Sequence, residues 1–263
     1  MQIYLAVPPE AAREAAQYCR TLAHVAYRVG PDSTLLRQSV LLQSRGGLLS
    51  VSDWEAPLIE DPDALCAAVL RECGRRGYGG VVLDFEEAAR PDRLTFAGRL
   101  GPALAGTRRA LYVPEPYAAA APEAVTLICT AVSGGSFSQR LQEAAARAGG
   151  ANRLALDVQR LCMDFRLPAR AGEGEPLPAE AFRRLMEREN PPVFFSQDLC
   201  ARYFTYTQEG EAHFVLFDDA GTLAQKLRLG AGMGFFAAFF MWPEIKDIAA
   251  KLFPPLSGGR GRG

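Results

Sequence analysis

Short runs rich in branched and aromatic residues alternate with amphipathic segments along nearly the whole chain. IYLAV (3–7), HVAYRV (24–29), GLLSVSD (47–53), GVVLDFE (80–86), RALYV (109–113), VTLICTA (125–131), RLALDV (153–158) and FFAAFFM (235–241) each read as a buried strand. Helical patterns cover 9–22, TLLRQSVLLQ (34–43), a segment opened by Asp61-Pro62 that runs to 76, 91–104, SFSQRLQEAAARA and PAEAFRRLMERE, and a closing helix starts at Pro243. Strand-then-helix alternation produces a parallel sheet, and eight such units in roughly 250 residues predict a single (β/α)8 TIM barrel over 1–256. An open doubly wound sheet is the second choice. It lacks support, since no Gly-rich phosphate turn follows the first strand.

One stretch breaks the alternation. Residues at about 193–218 carry apolar residues at every second position on either side of the turn QEGE, which reads as a β-hairpin inserted before the eighth strand. AGEGEPLP (171–178) reads as a surface loop. The Gly/Arg-rich tail, 257–263, reads as disordered.

Composition narrows the function. A formal net charge of −1 gives no reason to seek nucleic acid or an anionic membrane as partner. No basic region leads into a long apolar one at the start, and GMGFFAAFFMW is too short to cross a bilayer, so a cytoplasmic or spore-associated protein is expected. The six cysteines match no zinc or redox spacing and read as free thiols in apolar surroundings. No cofactor is expected.

YGGVVLDFEE (78–87) is a buried strand that ends in three acids. In a barrel of this kind the reactive groups sit where the strands end. Alternation puts Gly80, Val82, Asp84 and Glu86 on one face and Glu87 on the other. Two carboxyls at the barrel mouth suit acid/base work, because burial and mutual repulsion raise one pKa. Equally, the acids suit capping of the next helix or pairing with Arg90 and Arg93.

These residues carry a resemblance. GGVVLDFEE resembles the fourth-strand signature of glycoside hydrolase family 18, the chitinase-like barrels, whose pattern is D-x-x-D-x-D-x-E. Asp84 and Glu86 fill its last two acidic positions, while Gly79 and Val82 stand at the first two. The segment 201–236 is similar to the family's late hairpin, through Tyr203, Tyr206, Gly210, Phe217, Asp218 and Asp219. The resemblance implies substrate-assisted retaining hydrolysis of glycans containing N-acetylhexosamine, either chitin oligomers or peptidoglycan strands. Glu86 is then the acid, and Asp84 orients the substrate's 2-acetamido group. It points further to short spore-associated members.

Sugar-binding candidates are the aromatics Tyr4, Tyr112 and Trp242, with Phe239 or Phe240 as alternative floors. Glu115, Asp53 and Gln159 are polar candidates at strand ends. The family's sixth-strand Met-x-Tyr-Asp falls on Cys129, Ala131 and Val132, so its polar groups are missing, and Ser133, Gln159 or Tyr112 are the possible substitutes. Two other readings stand beside the hydrolase. One is a catalytically impaired, glycan-binding member of the same family. The other is an unrelated barrel enzyme holding a divalent metal with Asp53, Asp84 and Glu86, which a chelator would inhibit.

Overall fold

The computed structural model describes residues 1–38 and 45–256. Eight parallel strands close on themselves: β1 (Gln2–Val7), β2 (Leu22–Val29), β3 (Leu48–Ser52), β4 (Gly80–Asp84), β5 (Ala110–Pro114), β6 (Val125–Cys129), β7 (Leu154–Val158) and β8 (Ala237–Met241). Closure is made by β1, which pairs with β8 through Tyr4↔Phe239 and with β2 through Leu5↔Leu22. The expected TIM barrel is therefore the observed one.

The helices are α1 (Ala12–Ala15), α2 (Pro62–Arg76), α3 (Pro91–Ala105), α4 (Phe137–Arg147), α5 (Ala179–Glu189), α6 (Ala220–Gly232), α7 (Trp242–Ile245) and α8 (Ala249–Leu252). Local chemistry sets their ends. The Asp61 carboxylate accepts from the Asp63 and Ala64 N–H groups at the start of α2, and Gly77, at φ 73°, ends it in the left-handed conformation. Asp219 and Thr222 form a capping box at the start of α6. Outward strand residues such as Leu49, Val81 and Leu83 are fully buried against α2 and α3. Each contributes roughly 1.5–3 kcal/mol through lost apolar exposure.

Two helical expectations fail. The pattern over 9–22 shortens to a 3-10 turn, Pro9–Ala11, followed by α1 alone. Within TLLRQSVLLQ, Leu35–Arg37 is a strand antiparallel to β2, and 39–43 lie outside the described residues. The reason lies in β2. The strand β1 covers only Leu22, Ala23 and His24, which leaves the edge at Tyr27–Val29 open for a segment turned back by Pro31–Ser33. The tail expected to be disordered also lies outside the described residues.

The hairpin of Ala201–Gln208 and Glu211–Phe217 turns at Glu209 and Gly210, both with positive φ. It belongs to a larger antiparallel sheet that starts earlier than expected. Cys162–Arg166 pairs with Glu211–Phe217, Glu175–Pro176 adds one edge, and Phe194–Ser196 adds the other. The stretch 171–178 thus contains a short strand, Glu175–Pro176, rather than being loop throughout.

Candidate active site

Inward positions along the barrel strands form layers. Tyr4, Val82, Tyr112, Ala155, Ala237 and Phe239 fill the interior. One step toward the C-terminal ends, Ala6, Asp84, Pro114, Cys129, Asp157 and Met241 open into a cleft of about 540 Å³, with Val82 and Phe239 at its base. Glu86, Glu115, Gln159 and Glu244 complete the polar lining.

Asp84 sits at the end of β4, where burial first, and then the charges of Glu86, Asp157 and Asp53, push its pKa up from 3.8 to about 7. Asp157 ends β7 one position before its last residue, in register with Cys129 on β6 and Phe239 on β8. Burial pushes its pKa up to about 6, the hydrogen bond from Gln159 opposes that rise, and Glu244 and Glu86 add repulsion. Glu244 is likewise raised by burial, partly offset by the Arg160 N–H and charge. The Gln159 amide donates to Asp157 Oδ2 at 2.8 Å, and the Cys129 thiol donates to Gln159 Oε1 at 3.4 Å.

The expected site residues divide by location. Asp84, Glu86, Glu115 and Gln159 share the cleft. Asp53 is fully buried beneath it, ion-paired with Arg93 at 2.9 Å, and its Oδ1 accepts the Glu86 N–H at 3.0 Å. It braces the backbone that carries Glu86 and is turned away from any sugar. The trio Asp53, Asp84 and Glu86 is accordingly not gathered around a common point, and no three His, Cys, Asp or Glu among the described residues are grouped to hold a metal ion. Glu87 takes the bland role, pairing with Arg93 at 3.2 Å. Glu115 pairs with Arg140 at 2.6 Å while still facing the cleft.

The aromatics need correction. Tyr4 and Tyr112 lie mid-strand, one layer below the cleft, with their hydroxyls 3.0 Å apart and Tyr4 stacked on Phe239 at 4.7 Å. Both are core. Trp242 is also buried, packed on Tyr18 with its indole N–H donated to Glu14. Phe239 and Phe240 line the cleft instead. Ser133 is engaged by the Gly172 N–H and lines a neighbouring cavity of about 580 Å³ that meets the cleft at Cys129.

Three residues were missed. Asp157 was visible as the next inward position after Ala155 and two before Gln159, the same alternation that selects Asp84. Glu244 gave no signal, because it stands in the closing helical segment after β8. Trp54 directly follows the buried Asp53 just past the end of β3, and it is 64% exposed, unusual for an indole.

No family model matches this sequence, and no curated protein matches it. Solved structures do. The Bacillus megaterium spore cortex-lytic enzyme SleL is similar over 96% of this chain and 74% of its own, with a TM-score of 0.68 and 15% identity. A Chromobacterium violaceum chitinase is 17% identical over 96% of this chain and 98% of its own, with a TM-score of 0.68. A class V chitinase from Nicotiana tobaccum, solved in complex with NAG4, is 12% identical over 95% of this chain and 98% of its own, with a TM-score of 0.67. The chain has the chitinase-like family 18 fold.

Proposed function

We propose that the protein is a retaining glycosidase that cleaves glycans containing N-acetylhexosamine with the help of the substrate's own acetamido group. The observation that supports this best is the placement of Asp84 and Glu86 together in one cleft at the strand ends, with Glu86 braced from below by Asp53. Glu86 protonates the leaving glycosidic oxygen. Asp84 accepts the acetamido N–H and turns its carbonyl toward the anomeric carbon. The bond to the leaving oxygen breaks as the carbonyl oxygen bonds to that carbon, giving an oxazolinium cation beside Asp84. Glu86, now ionised, takes a proton from water as it opens this intermediate. General acid catalysis contributes about 10²–10⁴-fold, and positioning the internal nucleophile contributes further.

Structures similar to this one are named as a chitinase and a spore cortex-lytic enzyme, which makes N-acetylglucosamine oligomers and peptidoglycan strands the substrate classes to try. Trp54, exposed just past the C-terminal end of β3, supplies a flat apolar face on that side of the barrel for a sugar ring to stack on. No helix among the described residues is long and apolar enough to cross a membrane.

A second reading, a glycan-binding barrel without turnover, is favoured by one observation: Val82, which lines the base of the cleft, offers Asp84 no proton-sharing partner on β4. The discriminating experiment offers N-acetylglucosamine oligomers and peptidoglycan-derived glycans to wild type and Glu86→Gln, recording cleavage and binding separately. Hydrolysis by wild type with binding alone by the variant supports the glycosidase. Equal binding with no cleavage by either supports the binding protein.

A further inference from the structure

We propose that Asp157 acts as a neutral hydrogen-bond donor to the carbonyl oxygen of the substrate's acetamido group, opposite Asp84, and so is a positioning residue for the reaction. This inference rests on the glycosidase reading above. An acetamido group presents an N–H on one side and a carbonyl oxygen on the other, and needs an acceptor and a donor facing each other across a gap. Ala131 and Val132 provide no donor where the family resemblance leads one to look. Asp157 lies on the neighbouring strand, in register with Cys129, and lines the same cleft as Asp84.

The two carboxyls line the same cleft, and their charges act on each other. Gln159 fixes the Asp157 carboxyl by donating to Oδ2, which leaves Oδ1 to carry a proton toward a ligand. Gln159 is itself held through its carbonyl oxygen by the Cys129 thiol, so its amide orientation is set. The surroundings favour the neutral form. Asp84 on β4, Glu86 just past it and Glu244 on α7 are acids, Cys129 on β6 is a thiol that burial keeps protonated, and β1 and β8 contribute Ala6, Phe239, Phe240 and Met241. An ionised Asp157 would repel the carbonyl oxygen instead of holding it.

Asp157→Asn and Asp157→Ala, each checked for wild-type melting, are the test. The Asn amide keeps a donor at every pH. The pair works with one proton, on Asp157, and one charge, on Asp84, so wild-type turnover of N-acetylglucosamine oligomers should fall as pH rises past about 7, where both carboxyls ionise, and in Asp157→Asn this limb should move upward or vanish. Asp157→Ala should lose about 10²–10³-fold in turnover at all pH values, the size of one lost transition-state donor. In a Glu86→Gln background, Asp157→Ala should also lose preference for N-acetylated over free-amine glucosamine oligomers, which a purely structural role would leave intact. Unchanged turnover in Asp157→Ala, or the wild-type pH limb in Asp157→Asn, overturns this inference while leaving the glycosidase reading standing. Wild type that neither cleaves nor binds overturns both.

Discussion

Replacing Asp84 with Asn should stabilise the fold at alkaline pH while slowing the reaction. Folding raises the Asp84 pKa from 3.8 to about 7, chiefly through burial. Between those values the native state binds more protons than the unfolded chain, so this residue's contribution is intact in acid and is lost as pH rises through that window. About three pH units at about 1.36 kcal/mol each give an upper bound of roughly 4 kcal/mol at pH 8, against under about 1 kcal/mol at pH 4. Coupling to the titration of Asp157 and local relaxation reduce this, leaving roughly 2–4 kcal/mol at pH 8. For a chain of this size that corresponds to roughly 5–15 °C in Tm. Thermal melts of wild type and Asp84→Asn at pH 4, 6 and 8 provide the assay. The stability gap should widen steadily with pH. A gap that is flat, or one that favours wild type at pH 8, would refute the assignment of Asp84 as a carboxyl that the fold holds against its ionisation.

Two further substitutions separate support from contact. Asp53→Ala removes the fully buried one of three carboxylates on Arg93, leaving Glu87 and Asp92, and frees the Glu86 N–H. It should cost roughly 1–3 kcal/mol in urea denaturation and reduce turnover as well. Trp54→Ala removes an exposed indole. It should change stability by no more than about 0.5 kcal/mol yet weaken oligomer binding by roughly 1 kcal/mol or more in calorimetry.

The barrel was legible because strands buried on both faces must be near-continuously apolar. GVVLD and AAFFM read as strands whatever surrounds them. The acids of β4 were legible for the complementary reason, since charge at the end of such a run is out of place unless the run reaches a mouth. What stayed hidden depended on distances along and between strands. Tyr4 and Tyr112 look terminal in sequence, but each strand runs on past them to Val7 and Pro114, which drops both rings into the core. Leu35–Arg37 became a strand because β1 leaves part of the β2 edge unpaired, a fact of register that local propensity does not carry. Cys162–Arg166 joined the side sheet through pairing with residues some fifty positions later. Asp157 is a single acid in an apolar run, where Asp84 comes with two more close behind. Only the closed barrel brings it to Asp84.

The most direct test of the whole account is the comparison of wild type with Glu86→Gln on N-acetylglucosamine oligomers. The account predicts hydrolysis by wild type, a loss of about 10²–10⁴-fold in the variant, and oligomer binding by both. Hydrolysis undiminished by Glu86→Gln, or no cleavage and no binding by wild type, would contradict it.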